Sequence, residues 1–153
     1  SQEAAQSEVD SLKSKVDSAN SSLSDAQNAV SSAQSAYDSA SSDLQACENR
    51  RSELEKIPND QLTQDQYSEL QKLYSEHQGL VNQVNSTKSD LDNAKAALSA
   101  AQKNSNVSSL QNKLNSAQSK LDSANSDVTD AQSKVDSINS QIDGYQRQLD
   151  DLD

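Results

Sequence analysis

Apolar residues recur in this chain at alternating steps of three and four over most of its length, and that spacing admits few folds. The first series runs Val9, Leu12, Val16, Ala19, Leu23, Ala26, Val30, Ala33, Tyr37, Ala40, Leu44, Cys47, Arg51, Leu54. Steps that average about 3.5 residues draw one narrow stripe along an α-helix, the seam of a coiled coil. With Val9 as heptad position a and Leu12 as d, the inner d positions are mostly alanine. The flanking positions are polar or small, among them Lys13, Asn20, Gln27, Gln34 and Ser41.

The series stops at Glu55-Lys56-Ile57-Pro58. Proline disfavours helical geometry in the residue before it, which predicts a helix end near Lys56. Thr63 followed by Gln66 is a capping box that restarts a helix. A gap this short folds the second helix back antiparallel to the first. The second series is Leu70, Leu73, His77, Leu80, Val84, Thr87, Leu91, Ala94, Leu98, Ala101, with Tyr67, Tyr74 and Val81 beside it. The third is Val107, Leu110, Leu114, Ala117, Leu121, Ala124, Val128, Ala131, Val135, Ile138, Ile142, Tyr145, Leu149, Leu152. Helices are predicted over about residues 5–56, 64–103 and 107–152.

The second and third series do not share a frame. Leu98 and Val107 are nine residues apart, about 900° of helical rotation, which is half a turn out of phase. Either the chain reverses at residues 104–106, or one helix continues and changes partner there. Lys103-Asn104-Ser105-Asn106 is rich in residues that prefer caps and turns, which favours reversal. The expected fold is then all-α: a long antiparallel coiled coil, an up-down-up three-helix bundle with an Ala-rich seam, in one domain over 1–153. A reversal near residue 60 sets Arg51 near the level of Glu69. Ala94 falls near Ala117 across the second turn. The bulky Leu54, Tyr67, Leu70, Ile138, Ile142 and Tyr145 collect at one end. Asp17-Ser18-Ala19-Asn20-Ser21 recurs as Asp122-Ser123-Ala124-Asn125-Ser126, and Asp25-Ala26-Gln27 as Asp130-Ala131-Gln132. The first and third helices therefore read as copies of one unit, offset by a whole number of heptads.

Composition narrows the function. The chain has no Phe, Trp or Met and is only 31% apolar, too little for an ordinary globular core but enough for thin seams between helices. With a net charge of −11 it has no basic face for nucleic acid, and anionic membrane surfaces are disfavoured for the same reason. No apolar run is long enough for a membrane-spanning helix. One cysteine permits no intrachain disulfide.

The residues that break the pattern are the candidate sites. His77 stands at an a position without the Cys, His or acidic cluster a metal needs, so it reads as a polar seam residue, with a mild pH sensor as the other option. Cys47 at d reads as a small buried hydrophobe. An interchain disulfide is the other option, and a catalytic thiol would need an activating base. Arg51 at a either pairs with Glu69 and sets the register or snorkels to solvent. Asp90 and Asp92, and Asp150, Asp151 and Asp153, lack the spacing and central glycine of a calcium loop and read as solvated surface. The last three lie at a helix C-terminus, where negative charge is mildly unfavourable, a hint that the native chain continues. Asn20, Asn85 and Asn106 open glycosylation sequons, a frequent chance match in an Asn- and Ser-rich chain. No cofactor, metal or small-molecule ligand is expected.

Segments such as Ser31-Ser32-Ala33-Gln34-Ser35-Ala36-Tyr37 and Leu121-Asp122-Ser123-Ala124-Asn125-Ser126-Asp127 resemble the coiled-coil stalks of wall-anchored surface proteins of Gram-positive bacteria, the surface-exclusion and adhesin proteins of lactobacilli among them. The resemblance is one of composition and heptad style, and Cys47 departs from it. It implies an extracellular spacer that holds a head domain away from the wall. The expected function is a non-enzymatic structural spacer or interaction coiled coil of a surface protein, with protein partners: itself or neighbouring domains. At about 1.5 Å per residue each arm would reach roughly 60–70 Å. A silk-like fibre-forming protein and a soluble bundle carrying an apolar ligand are the alternatives.

Overall fold

The computed structural model describes residues 1–152, so Asp153 of the acidic terminus lies outside the described residues. The fold is all-α, as expected. Helix α1 spans Gln2–Glu55, a 3₁₀ turn spans Asn59–Gln61, and α2 (Gln64–Asn104) and α3 (Val107–Leu152) follow. Both α2 and α3 pack antiparallel to α1, in a coiled-coil-like helix bundle.

Each boundary has a local cause. The break after Glu55 falls where Pro58 (φ −55°, ψ 142°) leaves helical space. Helix α2 opens on the expected capping box: the Gln66 backbone N–H donates to Thr63 Oγ1 at 3.1 Å, and the Thr63 N–H donates to Gln66 Oε1 at 3.0 Å. Between α2 and α3 only Ser105 and Asn106 are non-helical, and Ser105 is extended at φ −75°, ψ 121°.

The polar faces are held by a regular device. Eight Gln side chains donate to an Asp or Asn one turn on, as in Gln34–Asp38, Gln78–Asn82 and Gln118–Asp122. Each such pair stabilises a helix by about 0.2–0.5 kcal/mol. Together they help a Ser- and Asn-rich sequence, poor in intrinsic helix propensity, to hold helices of 41 to 54 residues.

Two compact units make up the described chain: Ser21–Ser105, and Ser1–Asn20 with the residues from Asn106 onward. In the first, α1 and α2 form a hairpin. Cys47 Sγ lies 3.6 Å from the Leu73 carbonyl, and His77 Nε2 lies 3.2 Å from Glu48 Oε1. The core runs through Ala40, Cys47, Leu54, Leu70, Thr87 and Leu91. Thr87 satisfies its buried hydroxyl by donating to the Gln83 and Val84 carbonyls of its own helix.

In the second unit the start of α1 packs on the first half of α3. Val9, Leu12, Ala117 and Leu121 form its buried cluster, flanked by Ala5, Leu110 and Leu114. The Gln2 side-chain amide bonds Asn125, while Leu12 and Lys15 share a groove wall with Ser109 and Lys113. Low numbers in α1 thus meet high numbers in α3, so the two helices run in opposite senses. This corrects the up-down-up expectation, in which they run the same way and Ala117 lies beside Ala94. The phase break falls where the helices are interrupted. The frame carries two residues too many between Leu98 and Val107, and two non-helical residues, Ser105 and Asn106, take them up.

Candidate interaction surface

The predicted seam divides into three classes. Val9, Leu12, Val16, Leu54, Leu70, Leu91, Ala117 and Leu121 are buried. Ala19, Leu23, Ala26, Val30, Ala33, Leu44, Leu80, Val84, Leu98, Leu114 and Ala124 are half-buried. Val128, Ala131, Ile138 and Ile142 are exposed, together with Val135, Tyr145, Leu149 and Leu152. The bulky end expected from Ile138, Ile142 and Tyr145 therefore does not form from them.

This third class is the feature that stands out. The heptad frame of α3 passes Leu121 and Ala124, where α1 covers it, and continues unchanged to Leu152. Over that stretch the exposure of its large apolar side chains runs from 48% at Val135 to 82% at Leu152. Scattered exposed apolar residues are ordinary on protein surfaces. Seven large ones on one face in strict a/d order are not scattered, and they make this face the candidate interaction surface. The flanks suit contact as well. The e positions are Gln132, Asn139 and Gln146, and the g positions are Lys134, Gln141 and Gln148. The aspartates sit further round the helix, and Gln132 and Gln146 donate to Asp136 and Asp150 there.

The pattern-breaking residues gather in the hairpin. The Arg50 guanidinium grips Glu69 with two bonds, Nε–Oε1 at 2.7 Å and Nη2–Oε2 at 3.0 Å, and reaches Glu53 at 3.1 Å. The register-setting pair foreseen for Arg51 belongs to Arg50. Arg51 occupies the seam, half-buried, 3.7 Å from Glu55. Arg50 stands at the flanking g position, opposite the g position of the antiparallel partner, which Glu69 fills. The bond from Arg50 holds the Glu69 carboxyl below its ordinary range, and Glu69 raises Arg50 in turn. Tyr74 donates its hydroxyl to Glu55 at 2.7 Å, and that bond, with burial second, pushes the phenol up. His77 lies half-buried against Glu48, and Cys47 is buried against α2. Arg50, Tyr74, His77 and Cys47 bond across the hairpin and fix its register, while Arg51 pairs within α1. Asp90, Asp92, Asp150 and Asp151 are exposed, as are Asn20, Asn85 and Asn106.

A groove of about 750 Å³ runs beside the α1–α3 seam, lined by Lys15, Lys113, Lys120, Glu8 and several serines. Its apolar floor is Leu12 and Ala117, which are already buried, so it offers little area to a partner. The stripe on α3 offers far more. Among the described residues, no three or more His, Cys, Asp or Glu side chains group as a metal site requires, and no helix is long and apolar enough to cross a membrane.

The fold and its surface define a class, the coiled-coil-like antiparallel helix proteins. Compared with protein-family models, with curated proteins and with solved structures, the chain finds no match in any of the three.

Proposed function

We propose that this chain is a non-enzymatic coiled-coil spacer whose distal α3, residues 128–152, is a docking arm for another helix. One observation carries the reading: the a/d stripe of α3 continues in frame for nearly four heptads past Asn125, which bonds Gln2 of α1, and stays exposed. A helix needs a second helix, or a comparable apolar surface, to cover such a stripe. The internal repeat supports the same view. Residues 128–152 align heptad for heptad with residues 23–47 of α1, the segment that α2 covers in the hairpin. The arm thus carries the same heptad frame as the part of α1 that α2 covers, without an α2. The stalk-like composition agrees with a place on an extracellular surface, where a long helical hairpin supplies reach and the arm supplies attachment.

A labelled peptide spanning residues 66–103 tests the docking reading by fluorescence anisotropy. It is expected to bind the intact chain, and to lose that binding with Ile138→Asp and Ile142→Asp combined. Binding that ignores this double substitution overturns the reading.

A further inference from the structure

Building on that docking reading, we infer that the arm's partner is a second copy of this chain, its own α3 stripe laid antiparallel on the first. Three observations support this occupant.

First, the interface would continue one that already exists. On the α1–α3 face, antiparallel a-against-d packing sets Val9 level with Ala117 and Leu12 level with Leu114, and the α3 frame runs on without a break. Second, residues 128–152 are self-complementary in that same geometry. An axis at Ser140 pairs every a position with a d position: Ile138 with the second copy's Ile142, Val135 with its Tyr145, Ala131 with its Leu149, and Val128 with its Leu152. The small Val135 and Ala131 face the large Tyr145 and Leu149, so side-chain volume stays even along the seam, as close packing requires. Third, charge does not oppose it. In this register Gln141 meets Gln141, Asn139 meets Asn139, and Lys134 meets Gln148, with Asp151 of the second copy one turn further. No like charges oppose each other on the flanks, although the arm as a whole is acidic. A basic partner would find carboxylates at e or g positions only at the two ends of the arm, Asp127 and Asp153.

The area suffices. Covering seven half-exposed to exposed large side chains buries on the order of 600 Å² per copy, so about 1,200 Å² in all, the lower bound for a specific interface. A two-fold axis through Ser140 closes the pair, so assembly stops at the dimer rather than growing into a fibre.

Sedimentation equilibrium of the intact protein tests the inference. At about 100 μM, roughly tenfold above the Kd of a weak specific interface, the wild type is expected to be dimeric. Ile142→Asp is expected to be monomeric, with the helical spectrum of the wild type at about 1 μM, because Ile142 is exposed within the single chain. Register is read by cross-linking in a Cys47→Ala background. Gln141→Cys is expected to form a disulfide with its own counterpart. Val128→Cys is expected to form none with itself and to join Leu152→Cys in a mixture. Self-cross-linking at Val128 overturns the antiparallel pairing, and assembly beyond the dimer overturns the closed pair. A monomeric wild type that still binds the 66–103 peptide overturns the self-pairing and leaves the docking reading standing. A monomer that does not bind the peptide overturns both.

Discussion

Leu54→Ala compared with Ile138→Ala puts the contrast between the covered and uncovered parts of the seam into numbers. Both substitutions remove three carbons from a d position. Leu54 is 0% exposed and Ile138 is 53% exposed. At about 0.8 kcal/mol per buried methylene, Leu54→Ala loses about 2.4 kcal/mol of transfer free energy before any cavity term. Adding the cavity puts the total near 3 kcal/mol, within the range for buried Leu→Ala changes. Ile138 is more than half exposed, so Ile138→Ala forfeits less than about 1 kcal/mol, and the higher helix propensity of alanine offsets part of that. Urea unfolding followed by circular dichroism at about 2 μM, below any self-association, reads both values. A loss at Ile138 as large as that at Leu54 would show that the α3 stripe is covered within one chain, and the docking arm would not exist.

Further predictions concern individual contacts. Ala117→Asp, which puts a charge at a site 1% exposed, is expected to cost about 2–4 kcal/mol, whereas Ser123→Asp on the open face of α3 changes stability by less than about 0.5 kcal/mol; thermal melts distinguish them. Gly79→Ala meets no atom within 4 Å and is expected to raise stability by about 0.5–1 kcal/mol, measured by urea titration. The Glu69 carboxyl is held below its ordinary range in the fold, so its bond to Arg50 stabilises at neutral pH and is lost as pH falls through the lowered folded value. Wild type should therefore melt above Glu69→Gln at pH 7 and converge with it in strong acid, and high salt should narrow the gap at pH 7.

The seam was readable from sequence because its signal is contrast. Leucine and valine recur against serine and asparagine, and a step pattern of three and four has one helical meaning. The first boundary was readable because Pro58 and the Thr63–Gln66 box agree. The second was not, because phase alone does not distinguish a reversal from a reset. Two surplus residues shift a stripe by half a turn whether the chain folds back at Ser105 and Asn106 or steps over them. The choice between Arg50 and Arg51 turned on flank against seam, and a level map by residue number does not separate adjacent residues. The exposed stripe was hidden for another reason. The residues from Val128 to Leu152 carry the same a/d pattern as those from Val107 to Ala124, and sequence periodicity does not record whether a partner is present.

Hydrogen exchange of the intact wild type, resolved along α3, tests the central claim most directly. At about 1 μM, amides of residues 128–152 are expected to exchange fast, while those around Leu12, Leu54, Leu91 and Ala117 stay protected. At about 100 μM the 128–152 amides are expected to become protected in the wild type and to remain fast in Ile142→Asp. Protection of residues 128–152 that is equally strong at both concentrations would mean that the stripe is covered within a single chain, and would contradict the account.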